Sequence, residues 1–267
     1  MEQRQKRVVV KVGTSTLTHA TGMLNIRRVE RLVKVLSDLK NAGHELVLVT
    51  SGAIGVGAGK LALREKPSDM PTKQACAALG QSELMYIYDK YFSEYNHNAA
   101  QVLLTRDIIE DMRRKENVSN TFERLLELSV IPVVNENDTV SVEEIEFGDN
   151  DTLSAIVARL VEADLLIIFS DIDGLYDRDT RKNPDAQLIS HVAEITDEIR
   201  ALAGTPGSAF GTGGMATKLH AAEICMEAGI PMAILNGEKP EEIYCLLEGK
   251  EAGTLFALNK AEYSRHT

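Results

Sequence analysis

Short apolar runs rich in β-branched residues alternate with longer stretches of helical periodicity, and this alternation narrows the fold more than any other feature of the chain. Residues 7–12 (RVVVKV), 45–50 (ELVLVT), 130–134 (VIPVV), 165–169 (LLIIF) and 230–235 (IPMAIL) read as strands buried on both faces, with 99–104 (AAQVLL) a weaker example. Between them, residues 26–42 carry Ile26, Val29, Leu32, Val33, Leu36 and Leu39 at helical spacing, and Gly43 follows as a C-cap. Residues 71–95, 106–128, 151–162 and 214–228 have the same periodicity. Strands separated by helices build βαβ units, hence an α/β fold with a mostly parallel sheet covered on both faces. Residues 140–148 alternate in hydropathy and predict a small hairpin beside that sheet. Residues 204–213 hold four glycines and a proline and predict a loop. After residue 240 a further helix and a last short strand, Thr254–Ala257, are expected.

Sites in open α/β sheets lie at the carboxyl ends of the strands. Here the first strand runs into Gly13-Thr14-Ser15-Thr16 and the second into Thr50-Ser51-Gly52, with Gly55, Gly57 and Gly59 close behind. The run 130–134 leads into Asn135-Glu136-Asn137-Asp138, and 165–169 into Ser170-Asp171-Ile172-Asp173-Gly174. Small and polar residues therefore collect along one edge of the sheet. The glycines after Ser51 fit either a close backbone approach to a ligand or a tight strand-to-helix turn packed with small residues. Ser51 has no G-x-S-x-G elbow and no neighbouring histidine, so it does not read as a nucleophile.

Lys11 interrupts the strand Val8-Val9-Val10-Lys11-Val12. An unpaired ammonium costs several kcal/mol to bury, so a lysine there requires an anion unless it snorkels to water from the strand end. With Gly13-Thr14-Ser15 beside it, the anion is the favoured reading. A second anion signal is Gly211-Thr212-Gly213-Gly214-Met215-Ala216-Thr217-Lys218. A glycine-rich entry to a helix turns backbone N–H groups toward an anion, and Lys218 adds a full charge one turn later. The segment is not a P-loop, Gly59-Lys60 fails that pattern as well, and no G-x-G-x-x-G follows a strand. The third signal is acidic: Gly148-Asp149-Asn150-Asp151 precedes a helix with more polar groups than capping requires. Such carboxylates orient lysines, hold hydrated Mg2+ or pair with a substrate amine.

Composition removes several classes of function. A net charge of -11 argues against a nucleic-acid or anionic-membrane surface, and no basic or aromatic stripe marks an RNA-binding module. The histidines show no zinc spacing, and no metal ligands are expected from protein side chains. Cys76, Cys225 and Cys245 form no C-x-x-C and read as reduced thiols. The polar start runs directly into a strand, and no run approaches the roughly 20 apolar residues of a membrane span. A cytoplasmic location is expected.

Seven ordered blocks carry a resemblance to a known family: Lys11-Val12-Gly13-Thr14-Ser15, Val49-Thr50-Ser51-Gly52-Ala53-Ile54, Lys73-Gln74-Ala75, Val133 to Asp138, Gly148 to Asp151, Ser170 to Tyr176, and Gly211 to Lys218. The sequence resembles the amino-acid kinase family, and within it the branch acting on glutamate. The resemblance implies a three-layer α/β/α sandwich formed by one domain over 1–267. In it, residues up to about 150 are mainly acceptor-binding and about 151–260 mainly nucleotide-binding. It implies ATP, with Mg2+ carried by the nucleotide, and phosphorylation of the side-chain carboxylate of L-glutamate to L-glutamyl 5-phosphate for proline synthesis.

Carried onto this sequence, the resemblance makes Lys11 and Lys218 stabilisers of the transferring phosphoryl group, with Asp151 holding them. It gives Ser51, Gly52, Asn135, Asp138, Asp149 and Asn150 to the acceptor. It gives Lys11, Gly13, Ser170, Asp171, Thr212, Gly213, Gly214, Met215, Ala216, Thr217 and Lys218 to the nucleotide. It further implies proline as a feedback inhibitor, a dimer or tetramer, and transfer of product to glutamyl phosphate reductase. Many members add a C-terminal domain resembling RNA-modification proteins; the match here is to the catalytic part alone. A carboxylate acceptor is ionised at neutral pH and needs no general base, which suits a chain without a Ser-His or Cys-His constellation. Two rivals stay open: a kinase for another acceptor, such as aspartate, acetylglutamate or a nucleoside monophosphate, and a non-catalytic nucleotide or amino-acid sensor.

Overall fold

The computed structural model describes residues 5–19, 21, 23–63, 65, 67–105, 111–140, 150–203 and 214–258. The hairpin expected at 140–148 and the loop expected at 204–213 fall almost wholly outside these residues, as do Asp149, Thr212 and Gly213. In chain order the elements are β1 (Arg7–Val12), α1 (Thr14–Leu17), α2 (Ile26–Asn41), β2 (Glu45–Val49), α3 (Ala53–Lys60), α4 (Met70–Ser93), β3 (Ala99–Leu104), α5 (Met112–Glu127) and β4 (Ile131–Glu136). There follow α6 (Asn150–Leu160), β5 (Leu165–Ser170), β6 (His191–Val192), α7 (Asp197–Leu202), α8 (Met215–Glu227), β7 (Met232–Asn236), α9 (Glu242–Leu247) and β8 (Thr254–Phe256).

The strands form one eight-stranded sheet in the order β3-β4-β2-β1-β5-β7-β8-β6. Every pairing is parallel except β7 with β8. β1 lies in the interior of the sheet, and Lys11 is in register with Val49 of β2 and Ile168 of β5. Strand alternation divides its side chains between two cores. Val8, Val10 and Val12 pack with α2, α3, α4 and α9, while Val9 packs with residues of α5, α6 and α8. Lys11 has the parity of Val9 and so belongs to the face that α6 and α8 cover. Sheet and two helical layers make the three-layer sandwich.

Three sequence expectations need revision. Asn135 and Glu136 are the last residues of β4 and not loop, so the strand carries its register up to the polar edge. The glycine-rich stretch after Ser51 is a helix, α3, with Gly52 at its N-cap in the left-handed region (φ 96°). Its glycines answer to packing: a Cβ on Gly57 would lie 1.9 Å from the Cys76 carbonyl oxygen of α4, and one on Gly80 of α4 would lie 1.8 Å from the Ala53 carbonyl oxygen. Residues 106–110 are outside the described set, and α5 begins at Met112, where the Asp111 side chain accepts from the N–H groups of Arg113 and Arg114. α1, α7 and β6 were not anticipated, being too short to show a period. Among the described residues, no helix is long and apolar enough to cross a membrane.

Candidate active site

Two polar groupings sit at the carboxyl edge of the sheet, one on each face. The first is built on charge. Lys11 ends in the α6–α8 layer, where its Nζ lies 2.6 Å from Asp151 Oδ1. Lys218, one turn into α8, places its Nζ 3.0 Å from Asp151 Oδ2. Asp151 is wholly buried, and the two lysines are only 5% and 6% exposed. Asp151 is held by its place in the first turn of α6, where the helix dipole favours a carboxylate. Thr217 Oγ1 adds a contact at 2.9 Å to Asp151 Oδ2 and one at 2.8 Å to the carbonyl of Gly214, at the entry of α8.

Two ammonium groups thus share one carboxylate at positions largely withdrawn from water. Two cations held side by side in this way attract a further anion wherever one can approach. Its geometry leaves space for one. Gly13, directly after β1, has the Lys11 ammonium 3.6 Å from where a Cβ would stand. Among the described residues, Gly214 has nothing within 4 Å of that position. The exposed Gly214 and Ala216 and the half-buried Met215 open α8 on this side. On the neighbouring strand, Ser170 ends β5 and its hydroxyl donates to Asp171 Oδ1 at 3.2 Å.

The second grouping is built from amides. Asn150 Nδ2 faces the Thr50 carbonyl (2.6 Å), Ser51 Oγ (2.9 Å) and Asn135 Oδ1 (2.8 Å), three acceptors that share its two hydrogens. Asn135, 1% exposed, also accepts from the Glu136 N–H (2.9 Å) and donates through Nδ2 to Gln81 Oε1 of α4 (2.9 Å). Ser51 accepts from Asn150, so its own proton is directed elsewhere and can be given to a ligand. The Thr50 hydroxyl bonds Tyr88 OH of α4 at 2.9 Å. Burial pushes the Tyr88 phenol well above its ordinary pKa and keeps it neutral. Asp138 lies half-buried in the turn after β4.

The structure thus gathers Lys11, Asp151, Thr217 and Lys218 in one cluster and Ser51, Asn135 and Asn150 in another. Asn150 and Asp151 are adjacent in α6 and join the two. Gln81, Thr50 and Tyr88 escaped the sequence reading. Gln81 left one trace: it shares the buried stripe of Ala77, Leu84 and Tyr88 on α4, where an amide requires a partner. Among the described residues, no group of three or more His, Cys, Asp or Glu could hold a metal ion. Asp173, next along from Asp171, is held below the usual carboxylate range by Asn236 first and then by Lys239.

Fold and site define an α/β protein with a buried lysine–carboxylate cluster over the carboxyl edge of a mostly parallel sheet. Residues 6–236 match the amino acid kinase family, and the chain belongs to that family. Its relatives include proteins named glutamate 5-kinase from Clostridium perfringens (56% identical, spanning 96% of this chain and 97% of that protein) and Listeria innocua (55% identical, spanning 98% and 96%). Solved structures with the same fold include carbamate kinase from Giardia lamblia bound to AMP-PNP (18% identity, TM-score 0.67, 97% of this chain and 100% of that one). Another is UMP kinase from Ureaplasma parvum (16%, TM-score 0.66, 95% and 99%).

Proposed function

We propose that the protein transfers the γ-phosphoryl group of ATP to the side-chain carboxylate of L-glutamate, giving L-glutamyl 5-phosphate and ADP, the first step of proline synthesis. The observation that carries this reading is the buried cluster in which Lys11 and Lys218 converge on Asp151. Relatives named glutamate 5-kinase, matched over nearly the whole chain, supply the acceptor.

In the reaction a carboxylate oxygen attacks Pγ. A new O–P bond forms, the bond from Pγ to the β–γ bridging oxygen breaks, and ADP leaves with that electron pair. No proton moves, so no general base is needed. The obstacle is the approach of one anion to another, and catalysis reduces to positioning and positive charge. Lys11 and Lys218 supply that charge to the equatorial oxygens, and Asp151 fixes their separation. Mg2+ carried by the nucleotide would supply further positive charge to the phosphates. Asp151 does not suit that ion, since both its oxygens already face ammonium groups.

Ser51 donates a hydrogen bond to the α-carboxylate of glutamate, Asn150 and Asp138 face the α-ammonium, and Gly52, Asn135 and Asp149 are assigned to the acceptor with them. Gly13, Ser170, Asp171 and the stretch Thr212 to Thr217 line the nucleotide. The part up to about residue 150 mainly binds acceptor, and 151–260 mainly binds nucleotide. The proposal extends to a cytoplasmic dimer or tetramer inhibited by proline, whose carboxylate and ammonium repeat the chemistry recognised in glutamate. It also extends to hand-over of the labile acyl phosphate to glutamyl phosphate reductase.

The test is incubation with Mg-ATP, L-glutamate and hydroxylamine, which traps an acyl phosphate as a hydroxamate. Product requiring both ATP and glutamate is expected. Hydroxamate formed only with aspartate, or ADP released only with a non-carboxylate acceptor, would discard the substrate and keep the chemistry.

A further inference from the structure

We infer that Gln81 is a positioning residue for the acceptor, acting through Asn135 on Asn150. The inference rests on the glutamate reading above. It begins with two main-chain groups that fix which way the site amides point. The Glu136 N–H can only donate, so the Asn135 atom 2.9 Å from it is the carbonyl oxygen. The Thr50 carbonyl can only accept, so the Asn150 atom 2.6 Å from it is the amide nitrogen. Asn135 then has its Nδ2 turned into the protein at a position 1% exposed, where an unsatisfied N–H is costly. The acceptor it meets is Gln81 Oε1 at 2.9 Å. Gln81 is itself buried, at 8% exposed, and its Nε2 donates onward to Gln101 Oε1 at 3.4 Å.

The amides therefore form a directed chain whose N–H groups point from Asn150 toward α4. One result is that every side-chain hydrogen bond of Asn150 among the described residues uses Nδ2. Its carbonyl Oδ1 is left as the acceptor beside the Ser51 hydroxyl, which is left as a donor. An acceptor next to a donor suits the ammonium and carboxylate of one α-amino acid. Without the Gln81 carbonyl, Asn135 Nδ2 keeps no acceptor, and the Asn135 side chain shifts to find one. A shift of Oδ1 removes one of the three contacts that hold Asn150 Nδ2 and loosens the aim of Asn150 Oδ1 at the ammonium.

Gln81→Met keeps length and volume and removes the carbonyl. In the hydroxamate assay we expect its KM for L-glutamate to rise about tenfold or more, the scale of one misaligned hydrogen bond. KM for ATP and kcat should stay within about threefold. The preference for L-glutamate over glutarate, which lacks the ammonium, should shrink by a similar factor. Gln81→Glu keeps an acceptor oxygen at the same reach and should hold KM for glutamate within about threefold of the parent. Thermal denaturation establishes that each variant is folded. A folded Gln81→Met protein with unchanged KM for glutamate, or with glutamate, ATP and kcat affected alike, overturns the inference. If Gln81→Met does not fold, a tenfold rise in Gln81→Glu overturns it equally. Loss of glutamate-dependent hydroxamate in the parent protein would refute the substrate itself, and the role of Gln81 with it. A parent that turns over beside an indifferent Gln81→Met refutes Gln81 alone.

Discussion

Replacing Asp151 with Asn keeps the shape of the side chain and removes the charge that separates two buried ammonium groups. Lys11 and Lys218 would then face each other at positions 5% and 6% exposed without the carboxylate that sets their separation. We expect Asp151→Asn to lower kcat by about 10²-fold or more, as loss of preorganised charge does elsewhere. Steady-state hydroxamate formation checks this, and a kcat near that of the parent would refute the role. The legibility of these residues in the sequence followed their cost. Lys11 stood out because a charge in the middle of Val8–Val12 has to be explained. From the residues alone Asp151 was one acid among several at a helix entry, and only the family resemblance assigned it to the two lysines. Its pairing with both lysines joins positions 140 and 67 residues away, a relation no local pattern carries. Gln81 was hidden because an amphipathic helix tolerates a polar residue at its margin, and only the fold places that margin against Asn135.

Between elements, the tightest fit is the crossing of α3 with α4. Gly57 and Gly80 let the two backbones meet, and each leaves less than 2 Å for a Cβ before the carbonyl of the other helix. Neither Gly80 nor Gly57 is strained; the contact is between backbone atoms that cannot rotate aside. Gly80→Ala should therefore destabilise the protein by about 1–3 kcal/mol, the range for forced overpacking, read as a lower urea midpoint. Because α3 starts next to Ser51 and α4 carries Gln81, the same variant should raise KM for glutamate more than KM for ATP. Long periodic helices such as α2, and strands of continuous β-branched residues such as β5, were plain from sequence. α3 was not, since the glycines that allow the crossing also erase the helical signal. β4 was read short because its last two residues, Asn135 and Glu136, are polar, although backbone pairing with β3 extends through them.

Across the whole molecule, chemistry and stability occupy opposite edges of the sheet. The carboxyl edge holds the charge cluster, whereas the amino edge is tied by Arg7. That side chain bonds Glu45 (2.6 Å) and the Val161 carbonyl (2.7 Å) and reaches Glu123 (3.1 Å). Near it, the buried His44 ring accepts from the Lys6 N–H through Nδ1 at 3.2 Å, which requires the neutral imidazole. Burial, and then the nearby Lys6 charge, hold the His44 pKa below its ordinary 6.5. Above that value the ring is neutral whether the chain is folded or not, and its contribution is complete. As pH falls below it the unfolded chain takes up the proton first, so stability declines until the folded pKa is passed. The urea midpoint should drop between pH 7.5 and 5.5, and drop less in His44→Asn, which keeps an acceptor but cannot be protonated. Equal slopes would remove His44 as the cause.

The strand order also sets how late in synthesis the sheet and its cluster can be completed. Among the described residues β6 joins the sheet only through β8, and Thr254–Phe256 is the final strand. Lys11 emerges from the ribosome near the start, yet its partner cluster is incomplete until residue 218, and the sheet until residue 254. A chain interrupted before residue 218 therefore lacks the second lysine of the cluster, and one interrupted before residue 254 lacks the strand that ties β6 to the sheet.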